Sequence, residues 1–254
     1  MDFFDDTPLT WLENKHVDAE AARAAVDHLL PDGITEEARV FHAQLPRYEM
    51  TPLKRLGQLA SRLGLGSIWV KDESLRRTLN SFKVLCGSFA MYRFLKTRLN
   101  MDHREIPLAE LTSPEIHEKL GDITFAAATD VNHGRGVAWA AERMGFRAVI
   151  YVHKSTSQAR LKAIESSGAE VRVIDGTYDD AVRQVNLDAQ QNGWQVISDT
   201  SWEGYEDVPR WGMQGYSTLL TEVQEQLAAQ GIIKPTHLFG QAGVGALAAS
   251  AIVA

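Results

Sequence analysis

The sequence predicts an α/β fold, with parallel strands covered on both faces by helices. Three observations carry that prediction. From Ile123 to the end of the chain, short apolar runs alternate with amphipathic segments of helical period, the order that builds parallel sheets. Glycines stop the helices at Gly168, Gly193 and Gly231, as helix ends favour. The residues able to do chemistry, Lys83, Asp130, Asp199 and Gly243, each follow a predicted strand. Open α/β sheets bind ligands at that end of their strands.

The elements follow in order. Residues 1–16 read as an irregular polar arm. Ala21, Ala24, Ala25 and Leu29 recur at helical spacing and predict a helix over 17–30, stopped by Pro31-Asp32-Gly33. A short helix over 36–43 follows. Thr51-Pro52 reads as the start of another, with Leu53, Leu56, Leu59 and Leu63 as its apolar stripe. A strand at 67–71, a loop to Asn80 and a helix from Lys83 towards Leu99 come next. Beyond the polar stretch 100–121, strands are predicted at 123–128, 148–152, 171–174, 194–197 and 237–239. The helices between them span 134–144, 158–166, 179–191 and 211–230, and an apolar helix follows a glycine-rich turn.

Composition narrows the function. The chain has 254 residues, 44% hydrophobic and 23% charged, with a formal net charge of −7 from 26 basic and 33 acidic side chains. That is an ordinary globular composition, and the balance argues against a nucleic-acid partner. No apolar run approaches a membrane span, and Met1-Asp2-Phe3-Phe4-Asp5-Asp6 lacks the pattern of a signal peptide. Cys86 is the single cysteine, so no internal disulfide and no cysteine-based zinc site is expected, and a reducing cytoplasm is the expected setting. The eight histidines show no His-Glu-x-x-His pattern, and no metal is expected.

Four segments carry chemistry. Asn80-Ser81-Phe82-Lys83 places a lysine at a helix start, where partial positive charge disfavours a cation. Phe82, Val84 and Leu85 add apolar surface, which acts in the same direction. Such a lysine suits Schiff-base chemistry; a lysine snorkelling its ammonium to water from a half-buried helix end fits the same residues. Thr129-Asp130-Val131-Asn132-His133-Gly134-Arg135-Gly136 joins a strand to a helix. Its free N–H groups suit a carboxylate, and its Thr, Asp and Asn suit an N-cap equally; His133 needs no chemistry to explain it there. Gln241-Ala242-Gly243-Val244-Gly245-Ala246 suits a phosphate or a tight strand-to-helix turn. It lacks the P-loop lysine and the third glycine of the dinucleotide fingerprint. Asp199, in Ser198-Asp199-Thr200-Ser201-Trp202-Glu203-Gly204-Tyr205, is a candidate acid or base, or a turn cap. Trp202 and Tyr205 wall a pocket or simply pack.

Taken in order, these segments, with Lys71-Asp72-Glu73-Ser74 and the run on to Ala140, resemble the diaminopropionate ammonia-lyases. These are a branch of the tryptophan-synthase-β-like (fold type II) pyridoxal-phosphate enzymes. The resemblance implies two parallel-type open sheets covered by helices. It implies a large domain from residues 1–85 and 195–254, incomplete at its C-terminal end, and a small domain from 86–194. It implies pyridoxal 5'-phosphate carried by Lys83. Asn132 would bond the cofactor's phenolic oxygen, and Ala242, Gly243, Val244 and Gly245 would cradle its phosphate.

The implied reaction is that of a carbon–nitrogen lyase converting D- and L-2,3-diaminopropionate to pyruvate and ammonia. Asp130 would serve as base for the D-isomer, Lys83 for the L-isomer, and Asp199 would hold the substrate's amino group. Thr129, Asp130, His133 and Asp199 form the expected substrate-binding set, and a homodimer is implied. Two alternatives stay open: a serine or threonine dehydratase of the same fold, which lacks the Asp130–Asp199 pair, and a non-catalytic remnant. Three departures from the family pattern stand out. Val131 replaces a glycine, with strain expected if that position needs a positive φ. Cys86 replaces a glycine three residues after Lys83. Family members continue beyond the position of Ala254, so a truncated copy or fragment is expected.

Overall fold

The structure, a computed structural model, describes residues 18–76, 79–129 and 131–253. The arm expected over 1–16, and Asp130, lie outside them. Helix α1 (Ala19–Leu29) starts on Asp18, whose carboxylate accepts from the N–H groups of Glu20 and Ala21. Gly33, at φ +82°, opens α2 (Ile34–Ala43). The helix expected from Thr51 is instead mostly hairpin. Strand β1 (Leu53–Arg55) pairs antiparallel with β2 (Trp69–Lys71), and only α3 (Gly57–Arg62) between them is helical. Leu56 N–H donates to Ile68 and Asp72 N–H to Pro52, so pairing takes the groups a helix would have used. Leu59 and Leu63 of the supposed stripe stay exposed.

After a short 3₁₀ turn at Glu73–Leu75 comes α4 (Lys83–Arg98). Val84, Leu85, Phe89, Met91, Tyr92 and Leu95 bury it nearly all round. The polar stretch 100–121 holds two short helices the sequence did not announce, α5 (Leu108–Leu111) and α6 (Pro114–Leu120). Ser113 caps the second, with Pro114 in its first turn. Then come β3 (Thr124–Ala128), α7 (Asn132–Met144), β4 (Arg147–His153), α8 (Gln158–Glu165), β5 (Glu170–Ile174), α9 (Tyr178–Asn192) and β6 (Gln195–Val196). The 22-residue α10 (Asp207–Ala228) and α11 (Ala246–Val253) complete the order.

Strands β5-β4-β3-β6 form one parallel sheet. Alternation along β3 and β4 sends Phe125, Ala127, Ile150 and Val152 into the main core with α4 and α7, and Ala126, Val149 and Tyr151 towards Ala181 and Val185 of α9. Helices thus cover both faces, as period-two patterning requires. The expectation of two parallel-type sheets needs correction, because the second sheet is the two-stranded antiparallel hairpin. The strand expected at 237–239 is also absent: those residues have no ladder partner, and Phe239 is 91% exposed. An apolar run becomes a strand only where a neighbouring edge satisfies its backbone, and among the described residues none does. Gln195 and Val196, which the family resemblance assigns to the large domain, pair with β3.

Two features fix where α4 begins. Helices α7 and α10 approach it at glycines. A Cβ on Gly136 would lie 3.0 Å from the Lys83 carbonyl oxygen, and one on Gly215 would lie 2.4 Å from that of Leu85. The second is a buried charge cluster on α10. Glu222, wholly buried, accepts from Arg76 Nη1 at 2.8 Å and Nη2 at 3.0 Å, and from the Tyr48 hydroxyl at 2.6 Å; Lys71 Nζ lies 2.7 Å away. The Arg76 carbonyl in turn accepts from Asn80 N–H at 2.7 Å. Asn80 sits at φ +55°, a left-handed geometry that asparagine tolerates, and there the chain turns into α4.

Candidate active site

Lys83 is the first residue of α4. Ser81 Oγ accepts from its backbone N–H at 3.3 Å, satisfying one of the N–H groups a helix start leaves open. Its amine donates to Asp199 Oδ2. The Lys83 side chain keeps 23% of its surface exposed, against 6% for Asp199. Asp199 follows β6, and Thr129 follows the neighbouring parallel strand β3, so both stand at carboxyl ends of adjacent strands, where open α/β sheets bind ligands.

His133, in the first turn of α7, ties these loops together. Its Nε2 donates to the Ile197 carbonyl at 2.8 Å, and its Nδ1 lies 3.9 Å from Asp199 Oδ2. Burial pushes the Asp199 carboxyl up, while nearby His133 and Lys83, the latter also through its hydrogen bond, bring it below its usual range. Thr129 Oγ1 accepts from Gly134 N–H at 3.0 Å and so braces the same turn. Gly134 leaves no alternative there, because its Cβ would lie 2.4 Å from Thr129 Cγ2. Tyr205 buckles the Asp199 loop: its hydroxyl donates to the Val196 carbonyl at 2.7 Å and accepts from Ser198 N–H at 3.0 Å. Trp202 stacks on the Tyr205 ring, centroids 4.1 Å apart.

The structure thus gathers Lys83, Thr129, His133 and Asp199. Asn132, first residue of α7, is exposed beside them. Asp130 lies outside the described residues. Ala242, Gly243 and Val244 are exposed, and Gly245 at φ +94° opens α11. Nothing would come within 4 Å of a Cβ at Gly243 or Gly245, and the first N–H groups of α11 have no intrahelical partner. No hydrogen bond or ion pair joins this loop to Lys83, His133 or Asp199 among the described residues. Helix α11 packs on α10, where Ser250 Oγ donates to the Met213 carbonyl at 2.8 Å.

The departures resolve simply. Val131 has φ 173°, extended backbone open to any residue, so the strain expected of a positive φ does not arise. Cys86 is buried, and its sulfur fits because Gly212 faces it: a Cβ there would lie 2.7 Å from Cys86 Sγ. No three-residue His, Cys, Asp or Glu cluster fit for a metal occurs among the described residues. Among them, no helix is long and apolar enough to cross a membrane. A cavity of about 550 Å³ lies elsewhere, between α1, α2, α4 and α10, lined by Asp27, Arg93, Lys96 and Arg210 among others, and touches no residue of the site.

Sequence reasoning missed Tyr205's role as a buckle and the Arg76–Glu222 cluster. Arg76 and Glu222 stand 146 positions apart, and no local pattern announces such a pair.

A helix-start lysine paired with a strand-end aspartate places an amine and a carboxylate together at the carboxyl ends of the strands of an α/β protein. The family described as pyridoxal-phosphate dependent enzyme matches residues 45–254, and the chain belongs to it. The chain is 50% identical over 222 residues to the diaminopropionate ammonia-lyase of Salmonella typhimurium, covering 87% of this chain and 55% of that one. It is 48% identical to that of Escherichia coli, over 83% of this chain and 52% of the other. The chain spans about half the length of these relatives. It superposes on the crystal structure of the E. coli diaminopropionate ammonia lyase in apo form with a TM-score of 0.82 at 44% identity, covering 89% of this chain and 60% of that one. The same enzyme in complex with an aminoacrylate-PLP azomethine reaction intermediate matches at 0.80. The biosynthetic L-threonine dehydratase of E. coli is 31% identical over 87% of this chain and 37% of its own length.

The residues present fit the family's cofactor. His133 Nδ1 is a buried ring nitrogen with no hydrogen-bond partner, and the Gly243–Gly245 turn leaves open space for an anion.

Proposed function

We propose that this chain is a pyridoxal-phosphate-dependent ammonia-lyase acting on D- and L-2,3-diaminopropionate. The substrate takes up one water and leaves as pyruvate and two ammonia molecules. One observation carries the reading: the Lys83 amine on Asp199, inside a chain half identical to enzymes of that activity. Pyridoxal phosphate, when bound, supplies an electron sink that makes the substrate's α-hydrogen acidic.

The chain's own residues supply the rest. Lys83 carries the cofactor and moves a proton on one face of the substrate. Asp130 serves the opposite face, which accounts for acceptance of both isomers. Asp199, buried and held ionised, binds a substrate ammonium. Asn132 donates its amide to the cofactor's phenolic oxygen. Thr129 holds the carboxylate-side turn in shape, and the N–H groups of Ala242, Gly243, Val244 and Gly245 take the phosphate. A homodimer and a cytoplasmic setting belong to the same proposal. The first rests on the family resemblance, the second on the single, unpaired Cys86.

The test is pyruvate release. The proposal expects pyruvate from 2,3-diaminopropionate and none from serine; the reverse would make the chain a dehydratase. Asp130→Asn should cost the D-isomer more turnover than the L-isomer, and equal losses would remove Asp130 as a face-specific base.

A second reading, a binding-only remnant, draws on one observation. Ile233 and Ile252 are large apolar side chains 97% and 82% exposed. Cofactor absorbance missing from the purified chain would favour it.

A further inference from the structure

The cavity between α1, α2, α4 and α10 holds about 550 Å³, a volume that suits a small ligand. Its cations are already engaged. Arg93, on α4, donates Nη1 to Glu37 at 2.8 Å and Nη2 to Asp102 at 3.4 Å, and Lys96, 1% exposed, shares Glu37. Arg210 donates to Asp207 and, at 2.7 Å, to His28. Arg104 is held by Glu110. What stays open is mostly acceptor. Asp27, Asp32 and Glu105 line the cavity, are exposed, and make no side-chain hydrogen bond or ion pair among the described residues. Two buried groups are also unmatched. Gln214, on α10, lines the cavity at 3% exposure; its Nε2 donates to the Leu29 carbonyl at 2.9 Å, and its Oε1 has no partner. Arg93 Nε, a donor, has none either. Buried polar atoms are ordinarily paired, so an acceptor and a donor left over around one cavity suit a ligand that carries both. Helix α2 adds to the donor side. It opens at Gly33, which lines the cavity and offers no side-chain cap, so partial positive charge stands at its first N–H groups.

We infer that this cavity is a binding site for a free cationic amino acid, one that carries a carboxylate and two amino groups. The ligand's carboxylate takes Arg93 Nε and the start of α2. One ammonium takes Gln214 Oε1, and the other takes the carboxylates of Asp27 and Asp32 at the rim. Simpler ligands match less of the lining. A plain diamine leaves Arg93 Nε unpaired, and a simple anion meets the unpaired carboxylates of Asp27, Asp32 and Glu105. Pro31, Ile34 and Trp211 supply apolar wall for the carbon chain between the charges. Arg93 stands ten residues beyond Lys83 on α4, about 15 Å along the helix. The site is therefore separate from the strand-end crevice, and its assignment does not depend on the proposed reaction.

Fluorine NMR of the whole chain labelled with 5-fluorotryptophan tests this locally. Trp211 lines the cavity, whereas Trp202 stacks on Tyr205 beside the Asp199 loop, so the two signals separate this site from the crevice. Trp211→Phe assigns the first signal. The probes are L-ornithine, L-alanine, which lacks the second ammonium, and 1,4-diaminobutane, which lacks the carboxylate. The inference expects L-ornithine to shift Trp211 saturably, with the other two weaker by about tenfold or more, as for a lost hydrogen bond to a charged group. Asp27→Asn with Asp32→Asn, both on the surface and safe for folding, should weaken L-ornithine by a similar factor. Arg93→Lys, which keeps a cation for Glu37 but removes Nε, should weaken L-ornithine and leave 1,4-diaminobutane unchanged. Asp122→Asn, an exposed acid elsewhere, should change nothing. No saturable Trp211 shift with L-ornithine overturns the inference. So does equal binding of 1,4-diaminobutane, which removes the role of the carboxylate. An equal loss in Asp122→Asn overturns it too, because the binding would then be general attraction to a chain of net charge −7.

Discussion

Replacing Glu222 by glutamine tests whether the buried charge cluster holds the Lys83 segment in place. The Glu222 side chain is fully buried and accepts from both Arg76 amino groups, the Tyr48 hydroxyl and Arg39, with the Lys71 ammonium 2.7 Å away. Burial pushes its carboxyl up, but the hydrogen bonds and charge of Arg76, with Lys71 and Tyr48, outweigh burial and bring it down from 4.5 to about 2. At about 1.4 kcal/mol per unit, that shift corresponds to roughly 3 kcal/mol of stability. The folded-state value is the lower one. The contribution is therefore complete above about pH 4.5 and is lost as pH falls towards about 2. The variant also leaves Arg76, itself 1% exposed, facing a neutral amide. Breaking a buried pair from one side costs about 3–5 kcal/mol, in line with the first figure. Urea unfolding of both proteins, near neutral pH and again in acid, reads the effect. The variant should lose about 3 kcal/mol near neutrality and show a flatter decline in acid. A variant within about 0.5 kcal/mol of wild type, with a parallel acid profile, would refute the reasoning.

Three further outcomes follow from the packing. Gly215→Ala should destabilise by about 1–3 kcal/mol in urea unfolding, because its Cβ meets the Leu85 carbonyl oxygen at 2.4 Å and α4 must move. Gly87→Ala, whose Cβ would sit 3.4 Å from Val137, should be near neutral, and equal losses would count against close approach as the cause. Thr177→Ala should cost about 1 kcal/mol, since Thr177 and Asp180 form a capping box at the start of α9. Cys86, its thiol pushed up to about 12 by burial and next by Asp199, should resist a thiol reagent until the chain unfolds; fast labelling of native protein would contradict its packing against Gly212.

Much of the fold was legible because its signals are local. The alternation from 123 to 197 gave strands and helices within a few residues of those observed, since period-two and helical patterns report faces that must be buried. The signals failed where a distant partner decides. Leu53, Leu56, Leu59 and Leu63 fit a helical stripe, yet the partner strand at Trp69–Lys71 claims the first of them. His237-Leu238-Phe239 reads as a strand but finds no edge to pair with. At the site, Lys83 and Asp199 were marked by their places after predicted strands, and the structure brings them together. The orientation of His133 was not legible, because it depends on the Ile197 carbonyl 64 positions away. Nor was the fit of Cys86, which depends on a glycine of α10.

The central claim is that Lys83 carries pyridoxal phosphate. The most direct measurement mixes the purified chain with the cofactor, reduces it with borohydride and locates the retained mass by peptide mass spectrometry. The account predicts a visible absorbance band in the wild-type chain, cofactor mass on the peptide holding Lys83, and loss of both in Lys83→Ala. An unchanged band in that variant, or the mass on another lysine, would contradict it.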